Sequence, residues 1–288
     1  MEFKELCRGA KIPVLGIGTW TMGGQEKADG EFDTENVFVL REAIKLGITY
    51  IDTAEFYGNG HAEELVGQSI EEDRRERLFI TTKVSVTNLK YDDVISAAKR
   101  SLKRLKTGYI DLYLIHAPNR DIPIEETTRA MDYLVEKKLV KLIGVSNFSV
   151  EQIEEAQQST RHKIVANQIE YNLLTREKGT GKIPWTTDNM ESRIIPYCHK
   201  NGIIVIAYRP LANGELAKPG IQIIDTLSRK YHKTPAQIAI NWLVSKPNIV
   251  TIPKAANIEH IKENLGAIGW RMSEEDTYKL DHEFPRRN

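Results

Sequence analysis

Several side chains able to move protons stand at the ends of apolar runs in this chain. The run Tyr50-Ile51 stops on Asp52, and a phenol, Tyr57, follows in a turn marked by Gly58, Asn59 and Gly60. Taken alone, Asp52 serves equally well as a helix cap and Tyr57 as cover for a core edge. Lys83 closes another β-prone run 31 residues after Asp52, and His116 closes a third 33 residues further on. Ser146 and Tyr208 end two more. A carboxylate, a phenol, an ammonium and an imidazole in one place are equipment for proton transfer, and the amine is also a Schiff-base nucleophile. Whether they meet depends on the elements that carry them.

Those elements alternate. A short hairpin turning at Arg8-Gly9-Ala10 precedes a strand over 14–20. Further apolar strands are expected over 48–52, 78–83, 109–116, 140–146, 164–170, 203–208 and 249–252, with amphipathic helices between them. The helix over 91–105 shows the pattern well, with Val94, Ile95, Ala98, Leu102 and Leu105 on one side. Near-continuous runs such as 203–207 are what parallel strands covered on both faces look like. Eight strand–helix units in roughly 250 residues is the arithmetic of a (β/α)8 TIM barrel. The expectation is therefore an α/β fold, one barrel domain over 1–288, with an N-terminal β-hairpin and extra helices. A doubly wound sheet would normally show an early phosphate-binding glycine turn, and Gly16-Ile17-Gly18 lacks its third glycine. In a closed barrel, positions 52, 83 and 116 fall on three adjacent strands and reach one rim. Three ionisable strand ends at a one-unit pitch, with a tyrosine in the first loop, are hard to attribute to packing.

Composition narrows the partners. Forty basic and forty acidic residues cancel, which gives no electrostatic case for nucleic acid or a membrane surface. No segment reaches the roughly 18 apolar residues of a membrane helix, and the first residues lack an apolar signal core. A cytoplasmic location and a monomer are expected. Cys7 and Cys198 sit in no metal-ligand spacing and are read as reduced structural thiols. The charged stretch over 71–77 reads as a solvated loop, and 176–189 as an inserted surface loop.

The motifs Tyr50-Ile51-Asp52-Thr53-Ala54 with Tyr57-Gly58, Ile80-Thr81-Thr82-Lys83, Asp111-Leu112-Tyr113-Leu114-Ile115-His116, Gly144-Val145-Ser146-Asn147-Phe148 and Ile252-Pro253-Lys254 together resemble the aldo-keto reductase family. The resemblance runs over nearly the whole length. It implies a carbonyl reductase that binds a nicotinamide cofactor without a Rossmann domain, with the tetrad Asp52, Tyr57, Lys83 and His116. Physical chemistry fits these roles. A hydride-reduced carbonyl needs a proton from a donor within hydrogen-bond reach. A free phenol titrates near 10, and bringing it toward neutrality takes about 3–4 kcal/mol of preference for phenolate. A nearby ammonium can provide most of that, so Lys83 is expected to lower the pKa of Tyr57, with Asp52 holding Lys83 in place. His116, neutral, would orient the carbonyl and add a second donor.

The resemblance also implies the cofactor residues. Ser146, Asn147 and Gln168 would grip the nicotinamide carboxamide, with Tyr208 stacked on the ring and Thr19, Trp20 and Asp52 beside it. Arg209, Pro210, Leu211, Asn213 and Gly214 match a belt over the pyrophosphate. Arg209 stands where serine is commoner and is suited to pair with phosphate. Ile252, Lys254, Ala255, His260, Glu263 and Asn264 match the adenosine phosphate site at a helix N-terminus. Ala255 replaces the usual hydroxyl residue and His260 the usual arginine, so NADPH is expected with some use of NADH. A substrate pocket is expected between Trp20, Tyr57, His116 and Ala117, wide because Ala117 stands where tryptophan is frequent and the tail past Phe284 is short. Two other readings stand beside this one: a non-catalytic nicotinamide-sensing barrel subunit, and a Schiff-base aldolase using Lys83.

Overall fold

The computed structural model of the chain describes residues 1–7, 9–70, 72–181 and 187–284. The expected turn residue Arg8, the middle of the 176–189 loop and the tail past Phe284 lie outside the described residues. The hairpin forms as expected: β1 (Phe3–Glu5) pairs antiparallel with β2 (Lys11–Pro13).

Eight parallel strands follow, β3 (Ile17–Gly18), β4 (Tyr50–Asp52), β5 (Phe79–Val84), β6 (Ile110–Ile115), β7 (Val140–Ser146), β8 (Ile164–Glu170), β9 (Ile204–Tyr208) and β10 (Ile249–Thr251), each bonded to its neighbours in chain order. The ring closes at a narrow seam. Gly16 N donates to Thr251 O at 2.9 Å, Thr251 N to Val14 O at 3.0 Å and Gly18 N to Pro253 O at 3.2 Å. A side chain at Gly18 would stand 2.8 Å from the Ile252 carbonyl, so only glycine lets the seam shut. The strand expected over 14–20 is shorter in the structure. Residues 14–16 lean on the last strand, while Thr19 and Trp20 turn into the barrel mouth.

Alternation along the strands sorts the side chains. Tyr50, Leu112, Leu114, Ala166, Ile206 and Val250 fill the barrel, whereas Ile51, Ile80, Tyr113, Ile115 and Val205 pack outward. Each such large apolar side chain contributes about 1.5–3 kcal/mol. The outer layer is built from α1 (Asp33–Lys45), α2 (His61–Ser69), α3 (Tyr91–Arg104), α4 (Ile124–Glu136), α5 (Val150–Gln158), α6 (Ile195–Lys200), α7 (Gln222–Tyr231), α8 (Pro235–Ser245) and α9 (Ile258–Leu265), with α10 (Glu274–His282) after it. Local chemistry sets their ends. Ser149 with Gln152 and Thr234 with Gln237 form reciprocal caps, and Pro235 occupies the first turn after its cap.

One surface expectation fails. Within the charged stretch, Arg75 is buried under the barrel, donating to Leu78 O at 3.0 Å, Tyr109 O at 2.7 Å and Asp111 Oδ2 at 2.8 Å. Three carbonyl and carboxylate acceptors compensate that guanidinium for lost water, which a solvated loop would not do. Cys7 and Cys198 are free thiols, and burial pushes Cys198 up to about 12. Among the described residues no helix is long and apolar enough to cross a membrane.

Candidate active site

Strand register brings the proton-bearing groups together. Asp52 ends β4 opposite Thr81 of β5, two residues before Lys83, and Lys83 lies opposite Leu114 of β6, two before His116. All three therefore reach the same rim. Lys83 is fully buried, with Nζ donating to Asp52 Oδ1 at 2.6 Å, to Thr53 O at 2.8 Å and to the Tyr57 hydroxyl at 3.2 Å. Tyr57 arrives on a tight turn in which Gly58, Asn59 and Gly60 all have left-handed backbone, φ 56°, 52° and 93°. A side chain at Gly58 would stand 2.2 Å from the Gly23 carbonyl, so this glycine is sterically required.

Aromatic rings wall the mouth. Trp20 meets Tyr57 edge-on with centroids 4.9 Å apart, and His116 meets Tyr57 at 5.7 Å in the same manner. Phe56, which sequence reasoning passed over, stacks on Trp20 at 6.2 Å and abuts His116 at 6.1 Å. Its only signal was adjacency to Tyr57. Ala117 is wholly buried, so its small side chain adds no accessible space beside His116.

The charge balance differs in one respect from expectation. Burial works against the Lys83 ammonium, yet Asp52 and Tyr57 outweigh it and hold the lysine charged, with its pKa above the usual value. Burial raises Tyr57, and the pull of Lys83 only partly offsets it, so the resting phenol titrates above 10 and not below. The expectation of a phenol drawn toward neutrality is corrected here. Loss of water costs the phenolate more than one shared ammonium returns. Burial and the Lys83 charge depress His116 to about 3, which keeps the imidazole neutral.

A second group of polar side chains adjoins the first. Gln168 Nε2 donates to Asp52 Oδ2 at 2.7 Å, and Thr19 Oγ1 to Asp52 O at 3.1 Å. Asn147 Nδ2 donates to His116 O at 3.1 Å and Ser146 Oγ at 3.0 Å, while Tyr208 donates from its hydroxyl to Asn147 Oδ1 at 3.0 Å. Ser146 Oγ donates to Gln168 O at 3.0 Å. Ser146, Asn147, Gln168 and Tyr208 thus form one hydrogen-bonded rim running into the Asp52–Lys83 pair.

A model of the aldo/keto reductase family matches residues 14–282. The chain belongs to that family. This aldo/keto reductase is similar to methylglyoxal reductase YeaE of Escherichia coli (strain K12), 32% identical over 278 residues that span 95% of this chain and 92% of the relative. It is also similar to the glyoxal reductase of Bacillus subtilis (strain 168), 33% identical over 279 residues, 96% and 91% of the two chains. A thermostable aldo-keto reductase in complex with the inhibitor epalrestat superposes with a TM-score of 0.88 at 43% identity, over 98% of this chain and 99% of the other. A Klebsiella pneumoniae aldo/keto reductase in complex with NADP and acetate does so with a TM-score of 0.85 at 33% identity, over 99% and 96%.

The remaining candidates of this aldo/keto reductase lie along the same rim, away from the tetrad. Arg209 has left-handed backbone (φ 53°), and its guanidinium lies 3.5 Å from the buried carboxylate of Glu170, which also accepts from Thr180 N and Oγ1 at 3.2 and 3.0 Å. Pro210 is buried and Leu211 half-buried, and Asn213 and Gly214 (φ 58° and 91°) turn the loop that follows. Ile252 and Ala255 are buried on either side of Lys254, whose Nζ bonds Thr21 Oγ1 across the seam. Burial lowers the Lys254 pKa. Asn257 caps α9 by accepting from His260 N at 2.9 Å, Glu263 gives its backbone carbonyl to Gln237, and Asn264 is buried. Thr21, Thr53 and Glu170 were not singled out from the sequence. Their parts are played by a backbone carbonyl and by contacts distant in the chain.

Proposed function

We propose that this chain reduces the carbonyl group of small aldehydes and ketones with NADPH, Tyr57 giving the proton to the carbonyl oxygen. The observation that carries the reading is the 3.2 Å contact of Lys83 Nζ with the Tyr57 hydroxyl, backed by Asp52 at 2.6 Å. A phenol raised by burial is fully protonated at neutral pH and loaded as a donor. Once the proton leaves, the ammonium beside it stabilises the phenolate, so Lys83 acts on the charge that appears during reaction. Neutral His116 offers a second hydrogen bond to the same oxygen without competing as an acid. Trp20 and Phe56 cover the apolar side of the carbonyl compound and keep water from it.

The donor set suits a nicotinamide dinucleotide. Ser146, Asn147 and Gln168 present amide and hydroxyl groups matched to a carboxamide, and half-buried Tyr208 presents a ring face. Arg209 would exchange Glu170 for the pyrophosphate, and Lys254 with the N-terminus of α9 would take the adenosine phosphate. When bound, the cofactor supplies hydride to the carbonyl carbon. The reductase names of the relatives and the NADP in the Klebsiella pneumoniae structure support the same reading. Ala255 and His260 soften the phosphate site, so NADPH is preferred with residual use of NADH. The aldolase reading has less support, because Lys83 is fully buried and held charged by Asp52, the wrong state for a nucleophile.

The test is cofactor oxidation across a panel of aldehydes and ketones, run with both cofactors and beside Tyr57→Phe. Several aldehydes should turn over with a lower KM for NADPH than for NADH. The variant should bind cofactor as the parent does and lose on the order of 10²–10⁴ in kcat. Aldehyde reduction by the variant at the parental rate would remove Tyr57 from the mechanism.

A further inference from the structure

The loop after β3 places Trp20 against Tyr57; Thr21 bonds Lys254 and Met22 is buried in the core, whereas residues 25–32 are all exposed. Its attachment to the Tyr57 turn is specific. Gly58 N donates to Gln25 O at 2.6 Å, and Gly23 packs so closely on the His61 ring that a side chain there would meet it at 2.7 Å. Where the loop enters α1, Asp33 meets the same ring. His61 Nε2 is 2.9 Å from both Asp33 carboxylate oxygens, and His61 Nδ1 is 2.8 Å from Glu64 Oε2.

Each ring nitrogen therefore faces a group that, ionised, can only accept. A neutral imidazole owns one N–H, so one of its nitrogens would aim a lone pair at a carboxylate. Imidazolium satisfies both. The cation has little other support. His61 opens α2, where the helix dipole disfavours positive charge. Arg104 of α3, which lies against Gly60, is a further cation engaged with Glu63. Asp33 and Glu64 are thus what holds the proton.

We propose that His61 is a positioning residue: as imidazolium it clasps the 21–32 loop, and with it Trp20, to the Tyr57 turn, and so makes carbonyl affinity depend on pH. The proposal rests on the reading of Trp20 and Tyr57 as walls of the carbonyl site. Burial pulls the His61 pKa down, but the bonds to Glu64 and Asp33 prevail and hold it above its ordinary 6.5. The clasp is accordingly complete below 6.5 and is lost as pH rises through the raised value. Deprotonation frees one carboxylate, the loop opens and KM for the carbonyl rises, whereas kcat, measured with the site filled and the loop closed, holds.

One measurement needs no turnover. Amide exchange over 21–32, corrected for intrinsic rates, should quicken about five- to tenfold in the full-length protein from about pH 6 to about pH 9, the loss of one charge-assisted bond. His61→Gln and Asp33→Asn should each exchange at the fast rate throughout; either variant suffices if the other fails to fold. KM should rise by the same factor in the parent and stay high and flat in the variants. Protection that does not change with pH in the parent, or a parental pH profile in a folded variant, overturns the clasp. Should no carbonyl be reduced at all, the exchange result still decides the clasp while the reading of the site falls separately.

Discussion

Thr82 and Lys83 are adjacent on β5, both fully buried, and they meet two different charge clusters. Thr82 points out to the helix layer, where its hydroxyl donates to Glu63 Oε1 at 2.5 Å and Arg104 Nε donates to Glu63 Oε2 at 2.6 Å. Lys83 points into the barrel toward Asp52 and Tyr57. The outer cluster closes on itself: the carboxylate between α2, α3 and the sheet has both oxygens engaged within the protein. The inner cluster ends on a half-buried phenol at an open mouth. Burial of an ion pair is common to both, and it says little about function. A titratable group with one side toward solvent separates the two.

That contrast can be broken by substitution. Lys83→Met removes the cation beside Tyr57 and leaves Asp52 without its charge partner. We expect kcat to fall on the order of 10²–10⁴, and stability in urea to fall by about 3–5 kcal/mol. A variant that loses stability but keeps its turnover would make the inner pair as structural as the outer one. Thr82→Val deletes one bond to Glu63 in the outer cluster. It should cost about 1–3 kcal/mol, with kcat and KM unchanged; a large fall in kcat would show that the two faces of β5 are coupled.

A further test concerns pH. His116 is held neutral at about 3, against 6.5 when exposed, so the unfolded chain takes up a proton that the folded one refuses. Its contribution to stability is present above 6.5 and lost as pH falls toward 3. Urea midpoints of the parent should drop more steeply across that window than those of His116→Gln. Parallel curves would mean that the inner face does not hold the imidazole neutral.

Much of the site was legible because barrel strands repeat. Asp52, Lys83 and His116 could be placed on one rim from spacing alone, since parallel strands a unit apart share a register. Strand ends were legible where apolar runs were long, as in β7 and β8. They were less so at β3, where only Ile17 and Gly18 enter the ladder with β4 while Gly16 bonds the last strand at the seam. Arg75 was misread because its partners, Tyr109 and Asp111, lie more than 30 residues away. Phe56 and His61 carry no spacing signal. Their importance comes from the ring and the carboxylates that the fold sets against them.

Residue type and pitch along the chain were enough to predict the barrel and to gather Asp52, Lys83 and His116 on one rim, while the family was legible in the motifs that surround them. Those features are periodic and local, and a linear pattern can record them. The direction in which Tyr57 titrates, the closure of the seam at Gly18 and the bracketing of His61 were settled by tertiary structure. Each is a balance between lost water and nearby charge or shape, and that balance depends on distances between parts of the chain that are remote in order.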